Sequence, residues 1–246
     1  MTQQGNGIAI EARDLSRRFG RRWALINIAL SIPRGSSVML AGRNGSGKST
    51  LLRVLSTAIR PDRGSATIEG YDLLSARAEV RKRTALLGHW ANTYEALSPV
   101  QNLEITAGML GLKAHRGELV ALLDRVGLAE RADDAVSGFS AGMRKRLSIA
   151  RVLLQVEGEG GASVVFLDEP YNALDPPGFR FVDHLFATLK ANGATVVVAT
   201  HLIERGAALC DRGIVLEGGR LAWEGPASEL PSRGGLEPAI LAEGVA

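Results

Sequence analysis

Two periods of apolar residues run along the chain. Residues 8–12 alternate apolar and polar positions and predict an edge strand; residues 25–32 alternate less regularly and predict another. The short, almost wholly apolar runs 38–41, 84–88, 163–167 and 195–200 predict strands buried on both faces. Residues 66–69 are strand-like after the turn Pro61-Asp62-Arg63-Gly64. Helical spacing takes over at Leu51, Leu52, Leu55 and Ile59, at residues 76–83, at Met143, Leu147, Ala150 and Leu154, and at Val182, Leu185, Phe186 and Leu189. Strand-like pieces at 213–217 and 220–223 straddle a Gly218-Gly219 hairpin turn. Strands alternating with helices imply a largely parallel sheet covered on both faces.

One interval breaks this alternation. Ser98-Pro99-Val100-Gln101 is a capping box with proline at the first helical position. The stripe Leu119, Leu122, Leu123 and Val126 follows, closed by Gly127. Residues 98–137 are therefore expected to form a helical insertion in the α/β core. The sequence from Pro226 onward is weakly patterned, and no internal repeat is visible.

The chemistry concentrates after the run 38–41. Gly42-Arg43-Asn44-Gly45-Ser46-Gly47-Lys48-Ser49-Thr50 fits G-x-x-x-x-G-K-[ST], the Walker A phosphate loop, between a strand and a helix that begins near Lys48. Glycines let backbone N–H groups turn inward, and the helix N-terminus adds partial positive charge. Lys48 is placed to reach the β- and γ-phosphates, and Ser49 to hold Mg²⁺. A glycine-rich turn that binds nothing is the plain alternative; the agreement of loop, lysine, hydroxyl and flanking elements argues against it.

Run 163–167 ends in Asp168-Glu169. Carboxylates at the carboxyl end of a buried strand stand where open α/β sheets place ligand chemistry. Asp168 suits the Mg²⁺ shell, directly or through water, and Glu169 suits activating or orienting the attacking water. His201 ends the run 195–200, where it either senses the γ-phosphate or is a satisfied structural residue.

Composition bounds the rest. The chain has 246 residues, 46% hydrophobic and 22% charged, which fits one large domain or a domain with a subdomain. No apolar run approaches the ~20 residues that span a bilayer, and the polar N-terminus shows no signal-peptide pattern. A single cysteine, Cys210, excludes an internal disulfide and fits a small packed residue in a reducing compartment. Net charge is +3, with basic clusters at 17–22, 81–83 and 144–146. These read more simply as solvated faces with some phosphate or lipid-headgroup contact than as a nucleic-acid patch. The 26 acidic residues nearly match the 29 basic ones, and no aromatics interleave as a stacking platform needs.

These residues resemble the nucleotide-binding subunit of ABC transporters over about residues 8–225. Phe139-Ser140-Ala141-Gly142-Met143-Arg144-Lys145-Arg146 is similar to the LSGGQ signature and its basic helix start, with Ala for the first glycine of the pair and Met for Gln. Tyr171-Asn172-Ala173-Leu174-Asp175 resembles the D-loop, with Asn172 where Ser is usual. The resemblance implies an α/β P-loop NTPase of ABC ATPase type: a largely parallel core sheet, an antiparallel β edge and an inserted helical subdomain. It implies one domain over 1–246, with core segments 8–97 and 138–225, subdomain 98–137 and tail 226–246. It implies ATP held by Gly42, Arg43, Asn44, Gly45, Ser46, Gly47, Lys48, Ser49 and Thr50, with Ser140 and Gly142 closing from a second cassette. Mg²⁺ falls to Ser49 and Asp168, hydrolysis to Glu169 and His201. Phe19 takes the place of the aromatic that stacks on adenine, with ordinary core as its alternative.

The partners so implied are a transmembrane permease and a second, identical cassette, with the chain peripheral on the cytoplasmic face of the inner membrane and no specific nucleic acid. Leu87-Gly88-His89 and Ser140-Ala141-Gly142 look like the haem-exporter ATPases of cytochrome c maturation. The family's glutamine after the 84–88 strand is missing; by register Trp90 takes its place, and the expectation is that it docks the membrane subunit. A soluble ABC-type ATPase on ribosomes or nucleic acid is the rival; it usually carries tandem cassettes or coiled-coil insertions, whereas this chain has one phosphate loop and no heptad run. A small-molecule P-loop kinase would have no reason for the 140–146 motif.

Overall fold

The computed structural model describes residues 7–88 and 93–230. The segment 89–92, with Trp90 and its expected docking role, lies outside the described residues, as does the tail from 231.

The chain opens with β1 (Ile8–Phe19) and β2 (Arg22–Pro33), then β3 (Ser37–Ala41) leading into α1 (Lys48–Leu55). Next come β4 (Arg63–Ile68), β5 (Tyr71–Asp72), α2 (Arg77–Arg83) and β6 (Thr84–Leu87). Helices α3 (Pro99–Leu110) and α4 (Arg116–Arg125) precede α5 (Ala141–Glu157). Strand β7 (Val164–Asp168), α6 (Phe179–Ala191), β8 (Thr195–Ala199) and α7 (Ile203–Leu209) lead to the hairpin β9 (Arg212–Glu217) and β10 (Arg220–Pro226).

The core sheet has six strands in the order β10-β9-β3-β8-β7-β6, parallel except for β10. Its strands are apolar on both faces because both faces are covered, and alternate residues serve different cores. Val38, Leu40, Val164, Phe166, Val197, Ala199, Ile214 and Leu216 point into one; Met39, Ala41, Val165, Leu167, Val196, Val198 and Val215 point into the other. The first core is closed by α1 and by a second, antiparallel sheet in the order β2-β1-β4-β5. The second is closed by α5 and α6 and runs on into Val100 and Leu103 of α3 and Leu119 and Leu123 of α4. The antiparallel part thus takes two forms: β10 edges the core sheet, and the N-terminal strands form a sheet of their own.

Helix α3 begins as its sequence predicts. Ser98 Oγ accepts the Gln101 N–H at 3.3 Å, Gln101 Oε1 accepts the Ser98 N–H at 2.9 Å, and Gly111 ends the helix at φ 71°. Strands β1 and β2 run well past their alternating stretches. Register shifts fall around Leu15, and Asp14 and Asn27 carry positive φ. Ser16 Oγ pins the irregularity by accepting the Asn27 N–H at 2.9 Å. Buried Cys210 has its thiol pushed up to about 12 by burial, which makes it a packing residue.

Candidate functional site

The carboxyl ends of β3, β7 and β8 bring the candidate residues together. Beyond Ala41 the chain turns at Gly42, whose φ of 139° is closed to side chains; a Cβ there would lie 2.2 Å from Leu216 O. Gly47, at φ 110°, presses against Ala24 O of β2, where a Cβ would lie at 2.5 Å. The loop is also stitched to the β9–β10 turn: Gly219 donates its N–H to Ser46 O at 3.1 Å, and Ile26 of β2 donates to Gly219 O at 2.7 Å. Arg43, Asn44 and Gly45 form the exposed lip, and Thr50 lies half-buried in the first turn of α1.

Helix α1 starts with no side-chain cap and no acidic residue in its first turn, so its N–H groups stay open to an anion. Lys48, 9% exposed, folds back to donate to Gly42 O at 2.7 Å and Arg43 O at 3.2 Å. Burial lowers its pKa, opposed by Glu169 and then Asp168. Ser46 Oγ is buried with no hydrogen-bond partner among the described residues. An orphaned hydroxyl, a buried ammonium and open helix N–H groups on one glycine cradle fit a polyphosphate.

Ser49 Oγ donates to Asp168 Oδ1 at 2.9 Å, joining the two expected Mg²⁺ positions across the sheet end. Glu169 stands next, its φ of 47° in the left-handed region and its N–H donated to Ala199 O at 2.8 Å. That turn aims its carboxylate at β8: Glu169 Oε2 lies 2.9 Å from His201 Nδ1 and accepts the His201 N–H at 3.3 Å. The expected metal, water and sensor positions therefore form two contacting pairs, Ser49–Asp168 and Glu169–His201.

Phe19 lies opposite Arg22 in the β1–β2 ladder, and an Arg22 guanidinium nitrogen would lie 3.8 Å from a Cβ placed on Gly45 of the loop. Phe19 as a residue is 50% exposed, which excludes the ordinary-core alternative, and the Arg17 guanidinium lies 4.8 Å from its ring centre. Ser140 and Gly142 stand elsewhere. Ser140 caps α5 by accepting the Met143 N–H at 3.2 Å, and a Cβ on Gly142 would lie 3.0 Å from Ala173 O. They line a cavity of about 520 Å³ together with Arg146, Ala173, Asp175 and Phe181; no phosphate-loop residue lines it.

Two features escape motif reading. Tyr171 donates to Asp183 Oδ1 at 2.9 Å, and Arg205 of α7 bonds the same carboxylate at 2.8 Å, tying the residues after Glu169 to those after His201. Lys145 is buried on α5, where burial lowers its pKa to about 8 against the pull of Asp168 and Glu169. The signal was available: Lys145 keeps helical phase with the buried Ile149, Val152 and Val156.

Comparison with known proteins agrees with this geometry. A family model described as ABC transporter matches residues 25–172. The daunorubicin resistance ATP-binding protein DrrA3 of Streptomyces coeruleorubidus is 38% identical over 92% of this chain and 71% of its own length. The chain covers 64% of the doxorubicin resistance ATP-binding protein of Mycobacterium tuberculosis, at 37% identity over 88% of this chain. It thus spans about two thirds of the length of these relatives. A solved ATP-binding subunit of an ABC transporter superposes with a TM-score of 0.81 at 27% identity, over 94% of this chain and 95% of that one. Among the described residues no helix is long and apolar enough to cross a membrane. A phosphate loop backed by two carboxylates and a histidine, on a fold and sequence shared with these proteins, places the chain in the ABC transporter family as one of its ATP-binding ATPase cassettes.

Proposed function

We propose that the chain energises an ABC transporter as a head-to-tail pair of identical cassettes on a separate membrane permease, at the cytoplasmic face of the membrane. The observation that carries this is the separation of its half-sites. The phosphate loop, Asp168, Glu169 and His201 form one, while Ser140 and Gly142 line a cavity without them. A second copy facing the first would bring its Ser140 and helix N-terminus to the phosphates held by Lys48. The single-cassette organisation, with core 8–97 and 138–225 and helical segment 98–137, belongs to this reading and is supported by the core that α3 and α4 share with the sheet.

The donor set suits Mg²⁺. Ser49 Oγ and Asp168 Oδ1, 2.9 Å apart, are hard oxygen donors that would hold Mg²⁺, with phosphate and water as its remaining ligands. When bound, Mg²⁺–ATP supplies neutralised phosphate charge and an electrophilic phosphorus. Lys48 turns from the Gly42 and Arg43 carbonyls toward phosphate. Ser49 Oγ and the Asp168 carboxylate are the groups that would hold the metal. Glu169 orients the attacking water and accepts its proton, while His201 holds that carboxylate from the β8 side.

For cargo, the relatives named for daunorubicin and doxorubicin resistance favour drug-like organic compounds selected by the permease. The haem-export reading, built on two tripeptides, gains no support from these relatives, and neither does a ribosomal or nucleic-acid role. The test is Glu169→Gln in Mg²⁺–ATP. It should bind ATP, lose about 10²- to 10⁴-fold in turnover, and elute as a dimer on a sizing column. A variant that hydrolyses at the parental rate removes Glu169 from its role.

A further inference from the structure

A non-glycine residue at φ 47°, as Glu169 is, persists only where its surroundings fix it. On one side its N–H is fixed by Ala199 O. Two residues on, the chain is fixed by a side chain. Tyr171 is 3% exposed, and a buried phenol needs a partner for its hydroxyl. It donates to Asp183 Oδ1 at 2.9 Å. Burial first, and then that bond, hold the phenol far above its ordinary pKa, so it remains a donor at working pH. Asp183 lies on α6, which is packed through buried Val182, Leu185, Phe186 and Leu189.

The same carboxylate receives Arg205. Its Nη2 bonds Asp183 Oδ2 at 2.8 Å and its Nε reaches Oδ1 at 3.4 Å. The guanidinium also lies 5.1 Å from the Tyr171 ring centre and 5.0 Å from that of Phe179. Those two rings meet edge to face at 5.0 Å. Arg205 stands in the first turn of α7, one helical turn after His201, and Gly206 is the one fully buried residue of that helix. The segments leaving β7 and β8 are therefore joined twice: once by Glu169 and His201 at 2.9 Å, and again by Tyr171 and Arg205 through Asp183. Segments joined at one contact can pivot about it; joined at two, they cannot.

We propose that Tyr171, Asp183 and Arg205 are positioning residues for hydrolysis, their hydroxyl–carboxylate–guanidinium chain fixing the orientation of Glu169 against His201. The inference rests on the reading of Glu169 as the water-orienting group and of His201 as its support. None of the three touches the phosphate loop in this account; they act through the Glu169–His201 pair.

The discriminating variant is Tyr171→Phe, which removes one hydroxyl and keeps the ring against Phe179 and Arg205. In the full chain it should unfold within about 4 °C of the parent, since the Asp183 and Arg205 side chains are 38% and 41% exposed and such pairs contribute little stability. Its single-turnover rate on radiolabelled Mg²⁺–ATP should fall about 10- to 100-fold, the cost of a misaligned reacting group, with ATP affinity unchanged because the phosphate loop is intact. Asp183→Asn should do the same, and Arg205→Lys should keep more of the rate than Arg205→Met. Should Tyr171→Phe fold poorly, Asp183→Asn carries the comparison, its side chain being half-exposed. The readout that a purely structural role would not move is coupling. In a His201→Ala background the pair is already broken, so adding Tyr171→Phe should cost less than about twofold more, because residues that act as a unit are not additive. Parental rates in both Tyr171→Phe and Asp183→Asn overturn the proposal, as does an equal fold-loss in the two backgrounds. Glu169→Gln and His201→Ala run alongside. If either is fully active, the underlying reading of the pair fails and the proposal with it; if both are impaired while Tyr171→Phe and Asp183→Asn are not, the proposal alone fails.

Discussion

Gly42→Ala tests whether the phosphate loop is held by the core sheet. At φ 139° an L-residue stores strain of about 1–3 kcal/mol. The new methyl would also meet Leu216 O at 2.2 Å and Ser46 Oγ at 2.7 Å. The first contact is about 1 Å inside the ~3.3 Å at which carbon and oxygen ordinarily touch. Leu216 cannot recede, because it is buried and its neighbour Val215 is paired with Ala41 in the sheet. Overpacking adds about 1–3 kcal/mol, for a sum near 4 kcal/mol. At about 2–4 °C per kcal/mol for a chain of this size, Tm should fall by about 8–16 °C. Gly45→Ala is the internal control. Its φ is 80°, but the nearest neighbour of a Cβ is an Arg22 nitrogen at 3.8 Å. Only strain of about 1 kcal/mol remains there, worth about 2–4 °C. Calorimetry on the nucleotide-free proteins measures both. If Gly42→Ala unfolds at or above the temperature of Gly45→Ala, the packing argument is wrong.

Lys48→Ala should weaken ATP binding by about 10- to 150-fold, from charge-assisted hydrogen bonds of about 1.5–3 kcal/mol; unchanged affinity in filter binding would remove Lys48 from the phosphates. Phe19→Ala should leave Tm within about 1 °C, since its ring is exposed, yet weaken ATP by about fivefold or more through lost stacking. Inorganic tripolyphosphate should bind it as before, and equal losses for both ligands would contradict a base contact. The Asp211 carboxyl is raised by burial but held net below its ordinary range by hydrogen bonds from Ser37 Oγ and N–H and by Lys190. Its folded pKa is depressed, so its contribution is present above the unfolded value of about 3.9 and fades as pH falls through the folded one. Asp211→Asn should flatten the acid limb of a stability–pH curve slightly, because the group is half-exposed; an unchanged limb would contradict this.

The most legible parts of the sequence were those where one physical requirement acts alone. Strands β3, β7 and β8 are buried on both faces and read as unbroken apolar runs. The start of α3 and the Gly218-Gly219 turn are set by local chemistry, the latter with φ of 52° and 80°. Strands β1 and β2 were cut short because bulges near Leu15 and Asn27 break the alternation that marks a strand. Strand β5 is too short to show a period, and α7 buries only Gly206, so it carries no apolar stripe. At the site, the phosphate loop and Asp168-Glu169 were visible as strings, whereas the Ser49–Asp168 and Glu169–His201 pairings join residues 119 and 32 positions apart and required the sheet order. Lys145 was overlooked because charge in a basic run suggests solvent, and only its helical phase shows that it is buried.

The position of β3 bears on how the protein is made. Its sheet neighbours are β8 and β9, and the turn that stitches the phosphate loop ends at Gly219. A ribosome therefore releases the nucleotide-binding residues about 170 positions before the ones that lock them. At about 5–20 residues per second the delay is roughly ten to thirty seconds. During it β1, β2 and β4 can pair, since they are complete by Ile68, and their apolar face can shelter Val38 and Leu40 while the other face of β3 waits. Nascent chains ending before Thr195 lack both sheet neighbours of β3 and should not retain ATP, so nucleotide capture marks the end of synthesis rather than its beginning.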